Sequence, residues 1–141
     1  MLTALIDYES GNLHSALKAF EKISSENSLG SVTITNDPEI ISNADRLVLP
    51  GDGAFPACKA ALEKSEVFEA LKHAVLAKRR PFLGICVGMQ LMAKKGFEFE
   101  PTNGLNWING QVERIQLDDP SLKIPHTVSY THLTLPTMIG V

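Results

Sequence analysis

The residue best suited to covalent chemistry is a cysteine set between two glycines. In "PFLGICVGMQLMAKK", Pro81 to Lys95, Gly84 precedes Cys86 by two positions and Gly88 follows it by two. That is the spacing of a nucleophile elbow, with Cys in place of Ser. An elbow holds its nucleophile at a sharp turn between a strand and a helix, so its flanking residues must be small, as Gly84 and Gly88 are. Free N–H groups and the positive dipole end of the following helix favour the reactive thiolate. The Val87 N–H then falls where an oxyanion would form. A second donor has to come from a neighbouring strand-end loop, and "PGDG", with Gly51, Asp52 and Gly53, is the obvious supplier. The competing reading of Cys86 is a small buried hydrophobe, as many free cysteines are. A strand before it, a helix after it and a second glycine loop favour the nucleophile. Cys58, in "FPACKAAL", has none of this context and reads as packing.

Acyl transfer by cysteine needs a general base, usually histidine, oriented by a third group. The histidines are His14, His73, His126 and His132. His14 falls inside one helical pattern. His73 falls inside another, on a face shared with Glu66 and Glu69, and reads as solvated. His126 follows a proline after a short strand and qualifies by position only. His132 lies in an anomalous C-terminal tail. None stands at a strand end opposite the elbow, so the residues alone leave a triad incomplete.

Hydrophobic periodicity supplies the elements that must position Cys86. "LTALIDY" is an apolar run ending in the polar turn "ESGN". Leu13, Ala16, Leu17, Phe20 and Ile23 recur at helical steps, and Ser10 or Asn12 is expected to cap that helix. "SVTITND" predicts a second strand, with Val32 and Ile34 on one face. "DRLVLP" predicts a third, and its continuous Leu47-Val48-Leu49 implies burial on both faces. After the glycine loop, helices are expected over about Pro56–Lys64 and Glu66–Lys78, the second with Val67, Leu71 and Val75 on one face. "PFLGI" predicts a fourth strand, and "VGMQLMAKK" a helix. Beyond Gly96, "NWINGQVERIQL" and "LKIPH" predict short strands joined by turns, the first at Asn109-Gly110.

Strands alternating with helices predict an α/β fold, a mostly parallel sheet with helices on both faces. Working residues then sit in loops at the carboxyl ends of strands. Here those loops are "DYESGN", "LPGDGAF" and "GICVGMQ", which converge on one edge of the sheet.

The totals narrow the functional class. The chain has 141 residues, 44 % apolar and 21 % charged, with a net charge of −3. That composition suits one soluble globular domain with a real core. "AKRR", at Ala77–Arg80, reads as a helix C-terminus rather than a nucleic-acid patch. Two cysteines make no disulfide framework and suit a reduced, cytoplasmic setting. No apolar run is long enough to span a membrane, and the N-terminus lacks the basic region and cleavage site of a signal peptide.

The tail from Val128 carries no continuing pattern. Val128 to Thr137 matches, letter for letter, one reading frame of a transposon-end sequencing adapter. Residues 1–127 are therefore expected to be the N-terminal part of a domain, and 128–141 a non-native tail.

Several separate motifs converge on one family. "GICVGMQLM" resembles the elbow of the class I, triad-type glutamine amidotransferases. "IDYESGNLHSALKAF", "LVLPGDGAFPAC" and Met89 after the elbow glycine resemble, within that superfamily, the glutaminase subunits of imidazole glycerol phosphate synthase. "GLNWINGQVERI" and "KIPH" fit the same group, so the resemblance covers Met1 to about His126. It implies that glutamine is hydrolysed through a γ-glutamyl thioester on Cys86. The ammonia would pass to a partner cyclase of (β/α)8-barrel fold, in a heterodimer that makes imidazole glycerol phosphate in histidine biosynthesis. It implies an oxyanion strand at Gly51, Asp52 and Gly53, with the Val87 N–H as second donor. Gly53, Gln90 and Glu98 would contact glutamine, with Glu100 close enough to compete with Glu98. Asn12 would lie toward the cyclase. Neither a cofactor nor a metal is implied.

The chain departs from the family pattern in two places. Asp52 stands where the family's "PGVG" has Val. The family's catalytic His and Glu fall beyond the matching region, where "TVSY" replaces the usual "MGWN" after "PH". The chain as written is therefore expected not to hydrolyse glutamine, and to expose an apolar sheet edge that lowers its stability. A non-catalytic partner-binding protein on the same scaffold is the alternative from a different class. Another triad amidotransferase, of the pyridoxal phosphate or anthranilate branch, is opposed by "DYESGNLHSA" and "GMQ".

Overall fold

Short runs of branched apolar residues form strands that can be buried on both faces of a parallel sheet. The computed structural model, which describes residues 1–119 and 121–122, has four parallel strands, of which the central two are the buried ones. The four are β1 (Leu2–Ile6), β2 (Ser31–Thr35), β3 (Arg46–Gly51) and β4 (Phe82–Cys86). All pair in parallel, in the order β2-β1-β3-β4.

Helix α1 (Leu13–Asn27) starts at Asn12, whose side chain accepts the Ser15 N–H at 3.2 Å. Asn12 is thus the cap, and Ser10 bonds elsewhere. A further helix, not among those expected from periodicity, is α2 (Pro38–Asn43). Its start is well marked, with Pro38 in the first turn and Asp37 accepting the Glu39 N–H at 2.8 Å. Helices α3 (Phe55–Lys64) and α4 (Val67–Lys72) follow, and a π-helical turn at His73–Ala77 extends α4. "AKRR" ends that turn as expected. Lys78 reaches the Ser42 carbonyl at 2.7 Å, and Arg80 lies 3.6 Å from Asp45.

Strand alternation gives the sheet two distinct faces. Ala4, Ile6, Leu47 and Leu49 join Ile41, Phe55, Leu62, Val67 and Leu71 in one core beneath α2, α3 and α4. On the opposite face, Leu5, Val48 and Leu83 lie in register. Helix α1 contributes side chains there, and an apolar groove of about 280 Å³ remains between Phe20, Ile23, Val48 and Leu83.

Two expectations beyond the elbow fail. "VGMQLMAKK" is not one helix: α5 (Val87–Gln90) makes a single turn, and β5 (Ala93–Gly96) follows. The following chain captures the backbone there. Leu91 and Met92 carbonyls accept the N–H groups of Leu105, Trp107 and Ile108, at 2.7–2.9 Å. Asn109-Gly110 is not a hairpin turn either. It lies inside β7 (Ile108–Val112), which pairs in parallel with β5 across a register irregularity that takes up the extra residue. With β6 (Thr102–Asn103), these strands form a small second sheet in the order β6-β5-β7. Of "LKIPH", only Leu122 belongs to the described residues; His126, His132 and the tail lie outside them. No helix of the described residues is long and apolar enough to cross a membrane.

Candidate active site

Cys86 ends β4 and directly precedes α5, with φ 55 and ψ −120. A non-glycine residue holds that backbone only where its surroundings enforce it, at a cost of roughly 1–3 kcal/mol. The enforcement is steric. Leu49 pairs with Gly84 and Gly51 with Cys86, so the end of β3 lies alongside the turn. A Cβ on Gly84 would lie 2.5 Å from Met89 Cα, and one on Gly88 would overlap the Leu49 carbonyl oxygen. A Cβ on Gly51 would come within 2.5 Å of the Gly88 nitrogen. Three glycines thus let strand ends and the α5 backbone touch, and the strained turn presents Cys86 to solvent. The Val87 side chain is buried beside it, and its N–H opens α5, where backbone donors have no helical partner. That helix is only one turn long, so its dipole is far shorter than a full helix would supply.

The loop after β3 is tied down by side chains from separate segments. Ser10 Oγ donates to the Asp52 carbonyl at 2.9 Å and accepts the Asp52 N–H at 3.3 Å. Cys58 Sγ donates to the same carbonyl at 3.3 Å and lies 3.3 Å from Ser10 Oγ. The Asp52 side chain itself is on the exposed surface. Gly53 follows at φ 115, a conformation few other residues adopt. Cys58 is 3 % exposed and belongs to the core, so the packing reading holds, but its S–H also serves the loop. One signal was available: Cys58 is in the first turn of α3, and side chains there tilt back over the preceding loop.

Tyr8 lies beneath this group. It is 2 % exposed, and its hydroxyl has no hydrogen-bond partner of good geometry. Burial pushes the phenol up to about 12; Ser10 opposes the rise, and the Cys58 and Cys86 thiols add to it. Its oxygen would stand 3.0 Å from a Cβ on Gly51.

Of the expected substrate-contacting residues, Gln90 is half-buried in α5. Glu98 follows β5, and its carboxylate accepts the Phe55 N–H at 2.7 Å, at the very start of α3. Ala54 cannot cap that helix with its own side chain, so Glu98 does so from a distance. Glu98, not Glu100, is therefore the carboxylate joined to the end of the glycine loop. Asn12 is exposed and occupied as the α1 cap. His14 and His73 are both exposed, and neither has a hydrogen bond to Cys86. Among the described residues, no group of three or more His, Cys, Asp or Glu side chains could hold a metal ion.

A cysteine at a strained strand-to-helix turn beside a tethered glycine loop can do acyl-transfer chemistry. The comparison with known families agrees: the model for class-I glutamine amidotransferases matches residues 4–123. The chain belongs to the class-I glutamine amidotransferase family. Similar curated relatives of this amidotransferase chain carry the name imidazole glycerol phosphate synthase subunit HisH. The one from Ruegeria pomeroyi is 58 % identical over 127 residues, covering 89 % of this chain and 60 % of its own length. The one from Cereibacter sphaeroides is 51 % identical over 148 aligned positions, covering 100 % of this chain and 68 % of its own length. The one from Caulobacter vibrioides is 50 % identical over 124 residues, covering 87 % and 58 %. The amidotransferase chain thus spans about 60 % of the length of the relatives it matches.

Proposed function

We propose that this amidotransferase chain supplies the nucleophile half of a glutaminase site, in a subunit that feeds ammonia to a synthase partner. The observation that carries the reading is the backbone of Cys86, held at φ 55 by three glycine contacts and paired with Gly51. The Cys86 sulfur attacks the glutamine side-chain carbonyl, and a tetrahedral oxyanion forms. In a complete site a general acid–base passes the thiol proton to the nitrogen as the intermediate collapses, so the C–N bond breaks, ammonia leaves and water then hydrolyses the γ-glutamyl thioester to glutamate. Gly53 and Val87 N–H groups stabilise the oxyanion, and Gln90 and Glu98 contact the rest of the glutamine. The relatives' name supports a partner subunit in an imidazole glycerol phosphate synthase; the resemblance of the motifs carries the finer reading, a cytoplasmic heterodimer in which a (β/α)8-barrel cyclase takes the ammonia. Asn12, on the strand-end edge shared with Cys86, faces that partner. Residues 1–127 are the amidotransferase part of this chain, and 128–141 are a non-native tail.

Neither histidine of the described residues is bonded to the thiol, so binding is expected without turnover. The test follows alkylation of each cysteine by iodoacetamide, read by peptide mass spectrometry, alongside ammonia release. Glutamine slows alkylation of Cys86 while asparagine does not, and no ammonia accumulates. Equal alkylation with and without saturating glutamine would sink the substrate assignment. Ammonia release that vanishes in Cys86→Ala would sink the claim that turnover is absent.

A further inference from the structure

The thiol outside the elbow has work that packing alone does not explain. Cys58 Sγ and Ser10 Oγ both donate to the Asp52 carbonyl, at 3.3 and 2.9 Å. A carbonyl oxygen has two lone pairs, and these two donors can fill them. The peptide unit is planar and trans, so fixing the Asp52 C=O also fixes the Gly53 N–H on its far side. The next residue would otherwise leave that unit free: Gly53 sits at φ 115, and glycine passes between positive and negative φ at little cost. The clamp is built into the core rather than the surface, because Cys58 is 3 % exposed and projects from α3.

We propose that Cys58 is a positioning residue: its thiol, with the Ser10 hydroxyl, holds the Asp52–Gly53 peptide in the orientation in which the Gly53 N–H serves as oxyanion donor. This rests on the reading of Gly51–Gly53 as the oxyanion loop. Cys58 does not touch the substrate, and its effect reaches the reaction through one backbone N–H. Loss of the thiol leaves Ser10 as the sole donor and lets the peptide turn.

The test compares two reagents on Cys86 in the full 141-residue chain, with each cysteine followed by mass spectrometry. The chloromethyl ketone analogue of glutamine alkylates Cys86: an S–C bond forms, the C–Cl bond breaks, chloride leaves and the thiol proton passes to buffer. Its ketone oxygen draws on the oxyanion donors. Dithiobis-nitrobenzoate exchanges with the same thiol and has no such oxygen. The readout is the ratio of the two rates at Cys86. In the wild-type chain the ratio exceeds that of glutathione. In Cys58→Ala and in Ser10→Ala it falls about fivefold, the rate equivalent of roughly one hydrogen bond. In Cys58→Ser, which keeps a donor of similar size, it stays near the wild-type value. A wild-type ratio equal to that of glutathione overturns the oxyanion-loop reading, and the clamp with it. An elevated wild-type ratio that Cys58→Ala leaves unchanged overturns the clamp alone. So does a parallel fall in both rates, which marks a merely structural residue, or an equal loss in Cys58→Ser.

Discussion

The two faces of the parallel sheet are built from alternate residues of the same strands, yet they are covered very differently. Ala4, Ile6, Leu47 and Leu49 lie under α2, α3 and α4 and are at most 1 % exposed. On the other face Leu5 and Val48 are buried, but Leu83 beside them is 50 % exposed and borders the groove next to α1. The chemistry belongs to the sealed side. Leu49 sits in the sealed core, and its carbonyl lies against Gly88. The close packing that buries Leu49 therefore also holds Cys86 in its strained turn. The open face carries no comparable constraint.

The largest test of this contrast pairs Leu49→Ala with Leu83→Ala. Truncating a fully buried leucine costs about 2–5 kcal/mol, from lost transfer energy and the cavity left behind. Truncating Leu83, already half in water, is expected to cost under about 1 kcal/mol. Urea denaturation of both variants measures the difference. Similar losses would mean that the α1 face is as tightly packed as the other. Leu49→Ala is also expected to loosen the elbow and slow alkylation of Cys86 by the chloromethyl ketone.

A smaller effect concerns the polar floor of the sealed side. The Tyr8 phenol has its ordinary value near 10 in the unfolded chain and about 12 in the fold. The fold thus favours the neutral phenol. That contribution is complete below pH 10 and is lost as pH rises through 12. Its size is bounded at about 2–3 kcal/mol, from a shift of roughly two units. Tyr8→Phe should abolish this alkaline loss, measured as the difference between the two proteins' stabilities near neutrality and in strong base. At neutral pH the substitution should cost little, because it removes a buried hydroxyl that has no partner. An unchanged alkaline profile in Tyr8→Phe would show that the phenol is not buried as described.

Local signals in the sequence were enough for the parallel strands and for the elbow. The continuous Leu47-Val48-Leu49 and the spacing of Gly84, Cys86 and Gly88 each act over a few residues. What could not be read was set by partners distant in sequence. "LMAKK" has the composition of a helix, but it is drawn into a strand by hydrogen bonds from Leu105, Trp107 and Ile108. Asn109-Gly110 has the composition of a turn, but β5 pairs with Ile108 before it and Gln111 after it, so it becomes an irregularity within a strand. The Ser10–Cys58–Asp52 group joins three segments, with Asp52 42 positions after Ser10 in sequence. Such a cluster has no periodic signature. Helix α2 is a different case, since Asp37-Pro38-Glu39 is a local start signal, but the helix it opens is too short for apolar periodicity to mark.

The smallest effect tests how the second sheet is fastened to the sealed side. Gly96, at the end of β5, packs on the Phe55 ring, where an added Cβ would stand 2.8 Å from the ring carbons. Two residues on, Glu98 accepts the Phe55 N–H at 2.7 Å. The carboxylate thus caps α3 from the segment that follows β5 and favours its N-terminal dipole end. Glu98→Ala should cost about 1 kcal/mol, the usual loss when a cap is removed. Glu98→Gln keeps an acceptor and gives up only the charge, so it should cost a few tenths, roughly. Global melts barely resolve such differences, but amide exchange at Phe55 does. Its N–H should exchange several-fold faster in Glu98→Ala and close to normally in Glu98→Gln. If exchange at Phe55 is the same in all three proteins, the small sheet is held by the Gly96–Phe55 packing alone, and the sealed side ends at α3.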